Sequence, residues 1–263
     1  MDNGASVSMP VDSYVRISCD AGDHTVQVIM KSSSEDQHRW HEPIEAKTVL
    51  LGIEADEFLE LSPDNRKTIE FIGDSITEGI SIDVDEGCYY GNEYSMVDFD
   101  DSTAGYAWLT AKALNLRPYI MGYGWLGITN YGGGGIPPVI QSYAFYSENC
   151  PMKSVDADYI VINHGSNDRK SNKELFKKCY YDFLKLVRER NPKSKIIALT
   201  PFSGCLALEI KAVVDKYNLE CSDNVFYIDS TGWVTPEPLH PNREGHRIIS
   251  EKLSEIMKKN NMY

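Results

Sequence analysis

The stretch Thr68-Ile69-Glu70-Phe71-Ile72-Gly73-Asp74-Ser75-Ile76-Thr77-Glu78-Gly79 decides how the rest of the chain is read. Thr68 to Ile72 is short and mostly apolar or β-branched, which predicts a buried strand, and the Gly-flanked turn after it places a serine where a helix begins. A serine there projects its hydroxyl where backbone N–H groups also point, and a helix N-terminus favours the oxyanion formed when that hydroxyl attacks a carbonyl. The plainer reading is that Asp74 or Ser75 caps a helix, since both residue types are favoured at that position.

Outward from this turn the same rhythm recurs. Tyr119 to Met121, Tyr159 to Asn163, Lys195 to Thr200 and Val225 to Asp229 read as further buried strands. Between them Ala104 to Leu114, Lys173 to Arg190, Leu206 to Tyr217 and Arg243 to Lys259 carry helical apolar spacing. About five strands alternating with helices predict a three-layer α/β domain with right-handed crossovers over 66–263. Such sheets take ligands outside the carboxyl ends of their strands. Composition shifts near residue 65. Upstream, Tyr14 to Ser18, Thr25 to Met30 and Thr48 to Ile53 are short β-leaning runs between polar segments, so 1–65 reads as a small appended β module that packs on the α/β domain.

The bulk numbers exclude several functions. The chain has 263 residues, 42% hydrophobic and 25% charged, enough for a sizeable core. Lys and Arg total 26 against 39 Asp and Glu, a formal charge of -13, which repels polyanions and argues against nucleic acid or anionic membrane partners. No run approaches the roughly 18 apolar residues of a membrane span. Met1-Asp2-Asn3-Gly4 lacks the basic and apolar pattern of a leader, which favours cytoplasmic action; a trimmed N-terminus would favour an extracellular one. The six cysteines form no C-x-x-C pair, so we expect reduced thiols and no zinc cluster.

Two more motifs come directly after expected strands. Gly165-Ser166-Asn167-Asp168 offers a neutral amide donor for an oxyanion, or an Asx turn with Asp168 capping the next helix. In Glu237-Pro238-Leu239-His240-Pro241-Asn242 a histidine is held between prolines, three residues after a carboxylate that can accept its Nδ1–H. Each is weak alone. At average residue usage G-D-S and G-x-N-D would both arise by chance in a chain this long roughly three times in a thousand.

On these residues, over about 67 to 258, the chain resembles the SGNH (GDSL) hydrolase family, whose blocks supply Ser, Gly, Asn and His. The resemblance implies a flavodoxin-like αβα sandwich, with Ser75 as nucleophile, Asn167 in the oxyanion hole and His240 as base. Gly127 in Gly124-Trp125-Leu126-Gly127 best fits the block that donates a backbone N–H, with Gly124 second. The family commonly has Asp where this chain has Glu237. Some relatives in carbohydrate esterase family two are similar in carrying a β-sandwich ahead of the hydrolase domain and in using a backbone carbonyl for the histidine, which would make Glu237 dispensable. The first 65 residues resemble only the last part of such a sandwich, a truncated module.

The resemblance implies ester hydrolysis through an acyl-enzyme, with no metal or organic cofactor. The expected substrate is a short acyl ester, acetyl first, on a small molecule or oligosaccharide, ahead of longer-chain lipase or thioesterase substrates and ahead of a silent carbohydrate binder. Asp74 beside the nucleophile, Trp125, Trp233 and Tyr90 in the aromatic and acidic insertion 80–103 are the candidate substrate contacts. Gly132-Gly133-Gly134-Gly135 lacks a following G-K-[ST] and reads as a flexible turn rather than a phosphate cradle.

Overall fold

The computed structural model describes residues 14–33, 37–45, 48–84 and 96–262. In chain order the elements are β1 (Thr68–Gly73), α1 (Ser75–Glu78), α2 (Tyr106–Ala113), β2 (Arg117–Gly122), α3 (Val139–Ser142), β3 (Phe145–Ser147), β4 (Cys150–Pro151), β5 (Tyr159–Asn163), α4 (Lys173–Arg190), β6 (Lys195–Leu199), α5 (Ala207–Cys221), β7 (Phe226–Ile228) and α6 (Arg243–Lys259). Five of these strands form one parallel sheet in the order β2-β1-β5-β6-β7, with β1 paired to β2 on one side and β5 on the other. β3 and β4 make a separate antiparallel hairpin, which the sequence did not suggest.

Alternation within the buried strands sorts the core into two layers. Ile72, Ile160, Ile162, Ile196 and Ala198 pack with Phe176, Tyr180 and Phe183 of α4 and Ile210, Val213 and Val214 of α5. Ile69, Phe71, Val161, Ile197 and Leu199 pack on the other face with Tyr106 and Ala107 of α2 and Ile249, Leu253 and Met257 of α6. This is the expected αβα sandwich. Chain order reverses between β1 and β5, so their carboxyl ends flank a crevice, and the Ser75 and Asn167 turns leave the sheet at this point.

The core also encloses titratable groups. Glu70, in the middle of β1, receives the Tyr143 hydroxyl at 3.0 Å, and burial pushes its carboxyl up to about 7. Burial pushes Asp100 likewise up to about 7. His164 and His246 are fully enclosed, and burial drives them down to about 4 and about 3.

The amino-terminal segment departs from expectation. The described part of 14–65 contains no strand. Tyr14, Ile17, Val26, Val28, Leu50 and Leu51, in the three runs expected to be strands, are exposed. A β-leaning run becomes a strand only when a neighbour takes up its N–H and C=O groups in a ladder, and no described strand pairs with these runs; the Met30 carbonyl accepts from the Ser102 hydroxyl instead. Arg39 and Trp40, by contrast, are buried against the main domain, and residues 31–33 are half-buried.

Candidate active site

Ser75 opens α1 as the sheet ends. Asp74 caps the helix, accepting the Ile76 N–H at 3.1 Å, and Gly79 closes it in the left-handed conformation. Asp74 has no exposed surface, so it does not face substrate as expected, and burial pushes its carboxyl up to about 7. Ser75 is 7% exposed. Its N–H stands at the first helical position and has no acceptor within the helix.

His240 meets the serine directly, with 2.8 Å between Nε2 and Oγ. The two residues lie 165 positions apart. Burial lowers His240 to about 4, which keeps the imidazole neutral near pH 7 and able to accept the serine proton. Beyond it Asn242 caps α6 by accepting the Gly245 N–H at 3.0 Å. Arg243, the first residue of that helix, pairs with Asp83 and, at 2.9 Å, with Asp101. The histidine loop is thereby tied to the segment downstream of the nucleophile turn. Glu237, expected to orient the imidazole, is exposed.

Asn167 stands in the turn Ser166–Asp168 that follows β5, its Nδ2 donating to the Leu126 carbonyl at 3.1 Å. This joins the third motif to the loop after β2. Asp168, an expected helix cap, instead binds that loop, receiving Ile128 N–H and Thr129 N–H at 2.8 Å each and the Thr129 hydroxyl at 2.6 Å. The cap of α4 is Asn172. A Cβ on Gly127 would lie 2.8 Å from both Asp168 oxygens, so glycine is needed there for close approach.

The Gly127 amide, expected to face the oxyanion, is occupied: it donates to the Asn130 carbonyl at 3.1 Å. The second choice, Gly124, donates to Glu78 Oε2 at 2.7 Å. Between them the Trp125 N–H makes no hydrogen bond among the described residues. The Gly124 carbonyl accepts from Gly133 N–H at 2.8 Å, and in a trans peptide the Trp125 N–H points the opposite way. Trp125 sits at φ 62, a left-handed conformation costly for a bulky residue, with 55% of its surface exposed. Backbone direction of this kind leaves no trace in sequence.

Trp233 packs partly on the α2/α6 side of the core, and Tyr90 lies outside the described residues. Sequence reasoning missed Glu78, although a carboxylate one helical turn after a nucleophile inside a buried turn was a signal. No group of His, Cys, Asp and Glu able to hold a metal occurs among the described residues. No helix among them is long and apolar enough to cross a membrane.

Comparison with known proteins places this arrangement. The chain is 28% identical over 225 residues to the cellulase/esterase CelE of Acetivibrio thermocellus, covering 74% of this chain and 26% of that protein. It thus spans about a quarter of the length of this curated relative. Among solved structures it is similar to a family two carbohydrate esterase from Clostridium thermocellum in complex with cellohexaose, at 24% identity and TM-score 0.66 over 78% of this chain and 68% of that one. It is also similar to the acetyl xylan esterase Est2A of the rumen bacterium Butyrivibrio proteoclasticus, at 21% identity and TM-score 0.65 over 80% and 68%. These two likenesses concern the fold. The model of the GDSL-like lipase/acylhydrolase family matches residues 71–248, from the nucleophile strand into the last helix, and the chain belongs to that family of ester hydrolases.

Proposed function

We propose that the protein is a serine esterase that removes short acyl groups, acetyl foremost, from carbohydrate esters. The observation that carries this reading is the 2.8 Å approach of His240 Nε2 to Ser75 Oγ beside Asn167 at the switch point of the sheet. His240 takes the Ser75 proton as Oγ attacks the ester carbonyl, the tetrahedral intermediate collapses with loss of the sugar alcohol, and His240 protonates that leaving group. Water, deprotonated by the same imidazole, then releases the carboxylic acid and restores Ser75. The oxyanion is assigned to three donors: the Ser75 N–H, the second Nδ2 proton of Asn167 and the Trp125 N–H, in place of Gly127. Glu237 is assigned no part in the chemistry.

Support for a carbohydrate comes from the relatives, whose names include an acetyl xylan esterase and a carbohydrate esterase holding cellohexaose. The exposed indole of Trp125 adds a flat apolar surface of the kind that stacks on sugar rings. The test is turnover of p-nitrophenyl esters from C2 to C12 and of acetylated xylo-oligosaccharide by wild type beside Ser75→Ala. We expect the shortest acyl chain to be preferred and the variant to lose essentially all turnover. Preference for long chains would replace the substrate assignment, and equal rates in wild type and variant would overturn the site.

A further inference from the structure

Beneath the nucleophile turn lies a buried ion pair that joins three parts of the chain. Arg39 Nη2 stands 2.8 Å from Glu78 Oε1, with side-chain exposures of 4% and 11%. Arg39 also donates to the Ser33 carbonyl at 3.2 Å and hydroxyl at 3.1 Å, while its own backbone N–H donates to the Gly134 carbonyl at 3.0 Å. Glu78 is the last residue of α1, one turn after Ser75, and its Oε2 holds the Gly124 N–H at 2.7 Å. The glycine run finds its use here: a Cβ on Gly134 would come within 2.1 Å of the Gln37 carbonyl, so the run is a ledge on which the strap carrying Arg39 lies.

We propose that Arg39 is a positioning residue for the esterase reaction, neutralising Glu78 so that this carboxylate can fix the Gly124–Trp125 peptide and aim the Trp125 N–H at the oxyanion. The inference rests on the esterase reading above and deepens it. The Gly124 residue is held at both ends, by Glu78 at its N–H and by Gly133 at its carbonyl, which leaves the following N–H one direction. Without a counter-charge a carboxylate enclosed this deeply is driven toward its neutral form, and Arg39 supplies a cation in direct contact with Glu78. Burial pushes the Glu78 carboxyl up and the guanidinium draws it back, while Glu78 in turn helps burial push the neighbouring Asp100 carboxyl up. The amino-terminal segment, outside the matched family region, therefore contributes to catalysis from below the crevice.

The test compares Arg39→Met with Arg39→Met/Glu78→Gln in the full chain, on p-nitrophenyl acetate, with wild type and Ser75→Ala alongside. Arg39→Met is expected to lower kcat about ten- to a hundredfold with KM changed by less than about threefold, the signature of a displaced transition-state donor. The double variant, in which a neutral amide oxygen still accepts from Gly124, is expected to recover most of the loss. Arg39→Met with kcat within about twofold of wild type, or a double variant no better than the single one, overturns the proposal. If Arg39→Met does not fold, Arg39→Gln carries the test: it removes the charge and keeps a polar side chain, and kcat within about twofold of wild type again overturns the proposal. Ser75→Ala with wild-type turnover would instead sink the esterase reading, so the two failures are distinguishable.

Discussion

The nucleophile turn and the histidine loop meet at one hydrogen bond and are built in opposite ways. Ser75, Ile76 and Thr77 are buried, Asp74 caps them and Glu78 anchors the far end. Residues 235–238 are exposed, and His240 is fixed instead from its carboxyl side, through the Asn242 cap and the Arg243 pairs to Asp83 and Asp101. The contrast fits the chemistry each side performs. Charge that develops on a substrate oxygen needs donors in place beforehand, whereas a base needs a neutral imidazole and one good hydrogen bond.

After loss of the nucleophile itself, the largest expected effect breaks the rigid side. Asn167→Ala should cost about 10²- to 10³-fold in kcat, roughly 3 to 4 kcal/mol of transition-state stabilisation, measured by steady-state hydrolysis of p-nitrophenyl acetate. A loss below about tenfold would mean that the amide is not an oxyanion donor.

Next comes pH. Because burial lowers His240 to about 4, the imidazole stays neutral as pH falls through the ordinary histidine range, and kcat/KM should decline only as pH drops through about 4. Recorded between pH 3.5 and 8, an acid limb near the unperturbed histidine value would place the loop open to water.

Arg243→Ala releases only the loop's outer tie, through an arginine 54% exposed, and should lower kcat by about threefold. A loss as large as that of Asn167→Ala would erase the contrast. The smallest effect is Glu237→Gln, expected within about twofold of wild type in kcat/KM; a loss beyond about a hundredfold would restore Glu237 as the orienting acid.

How much could be read in advance depends on the range of the forces involved. Tyr159–Asn163, Lys173–Arg190 and Arg243–Lys259 have the expected bounds, because continuous apolar runs and helical stripes are local patterns. The Ser, Asn and His motifs were legible as residues, and the sheet order explains how chain positions this distant converge. The choice between Gly127, Gly124 and Trp125 depends on which way a peptide plane faces, and no side-chain pattern encodes that. Glu237 stood at a promising spacing, but its exposed position leaves the carboxylate in water. The strands expected before residue 65 had propensity without a partner strand among the described residues. Arg39 and Glu78, 39 positions apart, became a pair only through the fold.

The enclosed acids and imidazoles also make the interior a balanced proton store. Glu70, Asp74 and Asp100 titrate near 7 in the native protein, so on acidification they bind protons that an unfolded chain would not bind until about pH 4, and this favours the native state. His164, His240 and His246 do the reverse: they refuse protons until about pH 4, 4 and 3, whereas the unfolded chain takes them up from about 6.5, and this favours unfolding. Between about pH 4 and 6.5 the two sets pull in opposite directions. Unfolding in that window releases protons from one set and captures them on the other, leaving these six groups little net leverage over stability.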